Sequence, residues 1–390
     1  MSSTPFTADW RRARSWAAVG AIALLATSLS ACGSDSDGAT SGASSSAGDA
    51  SSALAADVAA LSKPADSYPV PTDAVGDISS VAGRTIYYVP VTLQAPQFSI
   101  TLKALTAAAG AAGLKVQTCD GKGTPTDISA CISQATKAKA GAIVTDAIPY
   151  GMAANAFAAA GSAKIPVIIS NQIPDDAHPA ADGLAYIGQD GGVNEEIALA
   201  KWTILDSGKK AQVLINQTSD GPSPAKFVAA GEEVYKSECP DCKTTINPVT
   251  SSNFNLVPSS TSAALLKDPN ITYVESQFEQ FLQPTTAGVQ QTSRNNIKIT
   301  TGAAQLSSVK AVQNGSIAVA AGQASAYQGW VDIDAVLRMM LGKTLPEYSI
   351  PVRLFTKDSG DEATETAQDS GAWYGPTTFT DDFKKLWGLA

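Results

Sequence analysis

From Arg84 onward, short apolar runs alternate with segments whose apolar residues recur at helical spacing, and this alternation constrains the fold more than any other feature. The first cycle is the strand-like run 86–89, followed by a helical face that includes Leu102 and Leu105 and stops at Gly113. Strands that alternate with helices predict a parallel sheet covered by helices. Further strands are predicted at 114–116, 142–144 and 167–169, with helices at 128–137 and 152–160.

The same alternation of strand-like and helical segments resumes after the glycine-rich stretch 188–192. The last predicted helix places Ile333, Val336 and Met340 on one face and is closed by Gly342. The chain is therefore predicted to be an α/β protein with two similar halves. In the second half, strands are predicted at 212–215, 244–248, 272–275, 298–301 and 317–321, and helices at 195–205, 226–236, 260–267, 281–291 and 306–313.

Residues 1–31 have the pattern of an export signal, with three arginines between positions 11 and 14 before an apolar run at 17–29. That run is too short to span a bilayer. Residues 29–33, Leu-Ser-Ala-Cys-Gly, resemble a bacterial lipobox, which implies cleavage before Cys32 and lipidation of its thiol. An ordinary signal peptide with an incidental cysteine and twin-arginine export remain alternatives.

Residues 32–63 consist mainly of Ser, Gly, Ala and Asp, and are predicted to form a disordered tether to the membrane. The proline-containing stretch 64–81 that follows is expected to form a strap over the first half. The C-terminal aromatic residues, which include Trp373, Tyr374, Phe383 and Trp387, are expected to pack on the second half.

Composition excludes several classes of function. The net charge of −9 and the pI of about 4.7 argue against nucleic acid as a partner. His178 is the sole histidine of the sequence, which nearly excludes histidine-based catalysis and multi-histidine metal sites. The sequence also contains no Gly-x-Ser-x-Gly, Walker-type or Gly-x-Gly-x-x-Gly motif. We therefore expect a protein that is not an enzyme and needs no cofactor or metal.

Besides Cys32, the chain has Cys119, Cys131, Cys239 and Cys242. An even number of cysteines in an exported protein predicts disulfides. Cys119 ends a predicted strand and Cys131 lies in the next helix, so their pairing would join the two elements. The spacing Cys239-Pro-Asp-Cys242 also fits redox catalysis or zinc binding, but its place after a helix favours a structural disulfide.

The ligand crevice of an open α/β sheet lies beyond the carboxyl ends of its strands. The loops that follow the predicted strands are therefore the candidate site: residues 91–98, 145–150, 170–174, 218–227, 277–280, 302–305 and 322–327.

The order of motifs resembles the type I periplasmic solute-binding proteins, in particular the ribose/galactose class that delivers sugars to ABC importers. The resemblance is carried by residues 86–90 with 95–98, by 141–168, by 186–190 and by 312–319 with Gln323. It implies two doubly wound parallel-sheet lobes joined by a hinge of three crossovers, near Asp190, Gln323 and Val352, with the ligand between the lobes. The implied first lobe is 64–190 plus 324–352, and the second is 191–323 plus 353–390.

The resemblance also implies the ligand contacts. Ala95, Val228 and Ala303 stand where the family commonly has an Asn, an Arg and an Asp, so the crevice loses charged groups. We therefore expect a neutral ligand, less densely hydroxylated than a pentose or hexose. The predicted ligand-binding residues are Gln94, Gln97, Phe98, Asp146, Asn171, Gln172, Gln277 and Gln323.

The resulting interpretation is a monomeric solute-binding protein held by a lipid anchor at the outer face of the cell membrane. It would capture a small neutral solute, a sugar or polyol, and deliver it to an ABC transporter permease. Two alternatives stay open: a sensor that presents its closed form to a receptor, and a binder of a non-sugar small molecule such as an aromatic compound.

Overall fold

The computed structural model describes residues 44–174, 176–359 and 364–389. The strands are β1 (Thr85–Pro90), β2 (Lys115–Thr118), β3 (Ala142–Asp146), β4 (Val167–Ser170), β5 (Leu184–Ile187), β6 (Gln212–Thr218), β7 (Lys243–Val249), β8 (Tyr273–Ser276), β9 (Lys298–Thr301), β10 (Val319–Gln323) and β11 (Val352–Phe355). The α-helices are α1 (Ser44–Leu61), α2 (Pro96–Ala111), α3 (Pro125–Lys137), α4 (Ala154–Ser162), α5 (Gln189–Asp206), α6 (Pro222–Glu238), α7 (Val257–Lys267), α8 (Leu282–Gln291), α9 (Leu306–Gln313), α10 (Ser325–Met340), α11 (Glu365–Ser370) and α12 (Phe379–Leu386).

The strands form two sheets, one in each lobe. The first is 5-stranded in the order β2-β1-β3-β4-β5 and its neighbours are parallel. The second is 6-stranded in the order β11-β10-β9-β8-β6-β7, and only β11 runs antiparallel to its neighbour among the described strands. Apolar side chains are buried on both faces of each sheet. The predicted α/β fold with two doubly wound lobes is confirmed.

The chain passes between the lobes at Gly188, Ala324 and Pro351. Gly188 has a φ of 67°, in the left-handed region that glycine adopts without strain, and α5 then packs on α6 of the second lobe. The backbone N–H of Ala324 donates to the Pro351 carbonyl at 2.9 Å. The Asp190 carboxylate accepts from the Ile350 N–H at 3.2 Å, so the crossing segments are joined to one another.

Helix α10 returns to the first lobe and packs closely on α2. A Cβ at Gly329 would lie 2.6 Å from the backbone nitrogen of Leu105 and 2.7 Å from the carbonyl oxygen of Thr101. Only a residue without a side chain allows the two helices to approach this closely. Because α2 begins at the first strand-end loop, this packing fixes one wall of the crevice.

The prediction of a disordered tether is wrong for residues 44–61, which form α1. Leu54 and Val58 are 3% and 7% exposed and belong to the core of the second lobe. Asp57 pairs with Lys201 at 2.6 Å. The physical reason is that Leu54, Val58 and Leu61 recur at helical spacing within an otherwise small-residue sequence. The predicted signal peptide, Cys32 and the remainder of the predicted tether lie outside the described residues.

The C-terminal aromatic residues do not all pack where the sequence suggested. Trp373 and Tyr374 lie against Phe355 of the second lobe, with ring centroids 5.1 and 5.9 Å apart. Helix α12 and Trp387 instead pack on the first lobe, where Trp387 stacks on Trp330 of α10 at 5.5 Å. The expectation of packing on the second lobe alone is therefore wrong, because α10 offers an aromatic surface that the helical spacing of α12 matches.

Residues 64–81 lie over α10, in keeping with the expected strap. Tyr68 stacks on Tyr327 with ring centroids 4.6 Å apart, and its hydroxyl donates to the Gly371 carbonyl. The Val75 N–H donates to the carbonyl of Leu386 at 2.8 Å. Residues 64–81 and the C-terminal helix α12 therefore meet on the outer face of the first lobe.

Both predicted disulfides are present. Cys119–Cys131 joins the segment after β2 to α3, and Cys239–Cys242 closes the turn after α6. The pairing of Cys239 with Cys242 supports the structural interpretation over zinc binding. Across the described ranges, no group of His, Cys, Asp and Glu is arranged to hold a metal ion.

Candidate functional site

Three predicted residues form one hydrogen-bonded network where the first sheet meets the hinge. Asp146 ends β3 and accepts from the Asn171 Nδ2 at 2.7 Å. The Gln323 Nε2, at the end of β10, donates to the Asn171 Oδ1 at 2.9 Å. The Tyr88 hydroxyl donates to the other Asp146 oxygen at 2.7 Å. The adjacent ends of β3 and β4 bring Asp146 and Asn171 together, and Gln323 reaches Asn171 from β10 of the other sheet.

A buried carboxylate is the electrostatic centre of this network. Burial raises the pKa of Asp146 to about 6, although the hydrogen bonds from Asn171 and Tyr88 oppose the rise. Behind it, Asp332 on α10 accepts from the Ser170 hydroxyl at 2.7 Å and from the Gln328 amide at 2.8 Å. Burial, with the nearby Asp146 charge, raises the pKa of Asp332 to about 8. At neutral pH the site therefore holds one ionised carboxylate beside a carboxyl that keeps its proton.

The backbone is strained at the same strand ends. Ala147, Asn171 and Ala303 have φ values of 56°, 58° and 52°, and each follows a strand that points at the crevice. Alanine in the left-handed region costs about 1–2 kcal/mol, whereas asparagine adopts it more readily. Strain of this kind concentrates at functional sites. At Asn171 it turns the side-chain amide toward Asp146.

The lobes contact one another directly across the crevice. The Ser223 hydroxyl, at the start of α6, donates to the Gln172 Oε1 at 2.9 Å and accepts from the Ile173 N–H at 3.1 Å. A Cβ at Gly221 would lie 2.8 Å from Pro149 of the opposite lobe. The crevice is therefore narrow here, and the contact joins the predicted residue Gln172 to the 218–227 loop.

The other predicted residues lie outside this network. Gln277 is buried, and its amide accepts from the Thr218 N–H at 2.7 Å and donates to the Pro224 carbonyl at 2.8 Å, so it braces a loop of the second lobe. Phe98 is buried at the start of α2, Gln97 is half-buried and Gln94 is exposed. Ligand contact stays a prediction for these residues, as it does for Asp146, Asn171, Gln172 and Gln323.

Several residues that the sequence did not single out surround the crevice. Glu195 on α5 is buried and accepts from the Ala303 N–H at 2.8 Å, and burial raises its pKa to about 8. Glu196 and Glu275 face each other in the same lobe, and burial together with their mutual repulsion raises the pKa of Glu196. From the sequence, Tyr88 could be interpreted only as a core residue of a strand. The sequence did not indicate that the acidic residues of α5 are buried, because a carboxylate on a helix is usually exposed to solvent.

A small cavity of about 10 Å³ lies between the lobes near the ends of β9 and β10, enough for roughly one water molecule. Ligand pockets are typically about 300–1,000 Å³, so this cavity is too small to hold a solute in the arrangement described. A larger depression of about 330 Å³ includes Asp206, Tyr273 and Lys298, but it lies at the amino ends of β8 and β9 and holds none of the predicted residues.

Two α/β lobes that face each other, with polar side chains gathered at the strand ends between them, define a two-lobed binding protein. Residues 86–344 match the family described as a periplasmic binding protein domain. Since this match spans well over half of the chain, the chain belongs to that family. A comparison with curated protein sequences returns no match.

Solved structures with the same fold have low sequence identity to the chain. An ABC transporter solute-binding protein from Agrobacterium vitis, bound with α-D-tagatopyranose, is 20% identical with a TM-score of 0.65, covering 75% of this chain and 99% of its own. The 5-methylthioribose transporter solute-binding protein from Thermotoga lettingae is 16% identical with a TM-score of 0.64, covering 78% and 97%. A carbohydrate transporter from Acidothermus cellulolyticus in complex with myo-inositol is 20% identical with a TM-score of 0.60, covering 74% and 99%.

The family assignment agrees with the expectation of a solute-binding protein rather than an enzyme, and with an extracytoplasmic location. None of the helices that the structure describes combines the length and apolar character that a membrane crossing requires.

Proposed function

We propose that the chain is a lipid-anchored, extracytoplasmic solute-binding protein that captures a small neutral sugar or polyol between its lobes and delivers it to the permease of an ABC importer. The observation that carries the proposal is the network of Asp146, Asn171 and Gln323 at the strand ends between the lobes.

The chemistry of this network fits a neutral ligand that carries hydroxyl groups. An ionised carboxylate accepts hydrogen bonds only, whereas an amide both donates and accepts, so the pair can address the donor and acceptor sides of a hydroxyl. Within the described residues, no lysine or arginine hydrogen bonds to Asp146, Asn171 or Gln323. The buried Oε1 of Gln323 has no hydrogen-bond partner there and packs against Gly191, so the amide must turn before this oxygen can accept from a ligand hydroxyl. A phosphate or carboxylate ligand would meet only repulsion from Asp146.

The relatives of known structure support the same class of ligand. Tagatopyranose, myo-inositol and 5-methylthioribose are all neutral, and the last carries fewer hydroxyls than a pentose. The loss of charged crevice residues from the sequence favours a ligand at the less hydroxylated end of this range.

The membrane anchor is proposed from the sequence at Cys32. Because α1 begins at Ser44 and packs on the second lobe, the tether between Cys32 and the folded body is shorter than composition alone implied. We expect Cys32→Ala to release the protein from the membrane fraction into the medium, without change in its folding. Retention of this variant in membranes would contradict the anchor.

The binding function is tested by a thermal-shift screen of a chain that begins at Gly33 against neutral sugars, polyols, nucleosides, amino acids and small aromatic compounds. A ligand at a thousand times its Kd stabilises the folded state by about 4 kcal/mol, and each kcal/mol raises the Tm by roughly 2–4 °C. We expect a response among the sugars or polyols. A response to aromatic compounds alone would contradict the sugar assignment, and no response to any class would contradict the proposed function.

A further inference from the structure

The chain beyond β11 reaches into the crevice, although it lies outside residues 86–344 that match the family. The small inter-lobe cavity is lined by Ile100 and Ser325 of the first lobe and by Ala304, Gln305 and Gln323 of the second. Its remaining side comes from Gln368 and Tyr374. We refer to residues 364–374 as the C-terminal wall.

The C-terminal wall is fixed to the second lobe. The Thr364 side chain accepts from the Ala367 N–H at 3.2 Å and so begins α11, and the Trp373 indole N–H donates to the Thr364 carbonyl at 3.1 Å. The Arg353 guanidinium of β11 donates to the Trp373 carbonyl at 2.7 Å. Trp373 is fully buried against Phe355. These contacts hold the wall as a rigid part of the molecule.

From this base the wall spans the crevice. Gln368 is 9% exposed, and its amide Nε2 donates to the Gln305 Oε1 at 2.9 Å, in the loop after β9. The next residue, Asp369, pairs with Lys103 of α2 in the first lobe at 2.6 Å. Tyr374 approaches β10 so closely that a Cβ at Gly322 would lie 2.7 Å from its hydroxyl. The wall therefore touches a strand-end loop of one lobe and a crevice helix of the other.

We propose that the C-terminal wall is a third side of the ligand site, in which Gln368 and Tyr374 contact the solute and set its size and hydrogen-bonding pattern. The inference rests on the proposed function, because it assigns further residues to the same crevice. An amide and a phenolic hydroxyl add donor and acceptor groups for a neutral hydroxylated ligand. The packing of Trp373 on Phe355 keeps the wall from receding, which limits the crevice to small solutes and excludes longer saccharides.

The position of the wall is tested without any ligand. Gln368→Cys and Thr366→Cys are made separately in a chain that begins at Gly33, whose four native cysteines are paired in disulfides. Thr366 is exposed on the same helix and serves as the matched control. We expect a bulky maleimide to modify the thiol at 368 roughly ten-fold or more slowly than the thiol at 366, since its reaction requires local opening. Equal rates would overturn the inference.

The recognition role is tested with the best compound from the thermal-shift screen. We expect Gln368→Ala and Tyr374→Phe each to weaken its binding about ten-fold, the usual effect of one lost hydrogen bond, and Gln368→Ala to improve the relative affinity for larger analogues. Gln290→Ala, an exposed position on α8, should leave the Kd unchanged.

The outcomes separate the inference from the function on which it rests. Unchanged affinity and selectivity in both wall variants, with binding intact in the unmodified chain, would overturn the inference and leave the proposed function standing. If the unmodified chain binds no compound, the proposed function is wrong and the inference falls with it.

Discussion

At the scale of single residues, the site is organised around a carboxylate that is costly to bury. Asp146 stays in place because Tyr88 and Asn171 both donate to it, and Asn171 can do so only because its backbone adopts a φ of 58°. A hydrogen bond to a charged group contributes about 1.5–3 kcal/mol, more than a neutral one. The same strength would apply to a ligand hydroxyl that takes the place of one of these donors.

We therefore expect Asp146→Asn to weaken ligand binding by about ten-fold to a hundred-fold, because the charge is lost while the shape is kept. Asn171→Gly should have a similar effect, and glycine is chosen because it tolerates the left-handed backbone at this position. Isothermal titration calorimetry measures both Kd values. Asp182→Asn, an exposed position, is the control, and wild-type affinity in both site variants would remove Asp146 and Asn171 from the site.

At the scale of elements, the sequence predicted the strands and helices of the two sheets well because their periods are strong. The run 86–89 and the helix 306–313 were predicted within a residue of their observed bounds. Strands β5 and β11 were not predicted, since four residues beside a crossover carry no period of their own. The antiparallel pairing of β11 with β10 depends on where the chain re-enters the second lobe, which is a property of the tertiary structure.

The terminal elements show where composition misleads. Residues 44–61 consist mainly of Ser and Ala, which suggested disorder, yet a few apolar residues at helical spacing suffice once a partner surface exists. Within the site, the strand-end rule located Asp146, Asn171, Gln172 and Gln323, but no local pattern could reveal that Gln368 lies beside Gln305. Those two residues are separated by 63 positions, and the fold alone joins them.

At the scale of the whole molecule, buried carboxyl groups are concentrated around the crevice and the hinge. Burial raises the pKa values of Asp146 to about 6 and of Asp332 and Glu195 to about 8, and the pKa of Glu196 is raised by burial and by Glu275. In the unfolded chain these groups have pKa values near 4. The folded protein therefore binds more protons than the unfolded chain between about pH 4 and pH 8.

The raised pKa values make the folded state more stable at low pH than at high pH. The stability contributed by these groups is fully present below about pH 4 and is lost as the pH rises through the folded-state pKa values of about 6 to 8. Each unit of raised pKa corresponds to about 1.4 kcal/mol, which moves the Tm by roughly 2–4 °C per kcal/mol. We expect differential scanning calorimetry to give a Tm several degrees higher at pH 5.5 than at pH 8.

A variant locates the source of this dependence. Asp332→Asn introduces an uncharged side chain that can still accept the hydrogen bonds from Ser170 and Gln328. The Tm of this variant should therefore fall less between pH 5.5 and pH 8 than the Tm of the unmodified chain. Asp182→Asn, which removes an exposed carboxyl, should leave the dependence unchanged. A Tm that stays constant or rises toward pH 8 in the unmodified chain would show that these carboxyls are ionised in the folded state. The smaller pH dependence of this variant would identify Asp332, which lies behind Asp146 on α10, as a carboxyl that keeps its proton in the folded protein.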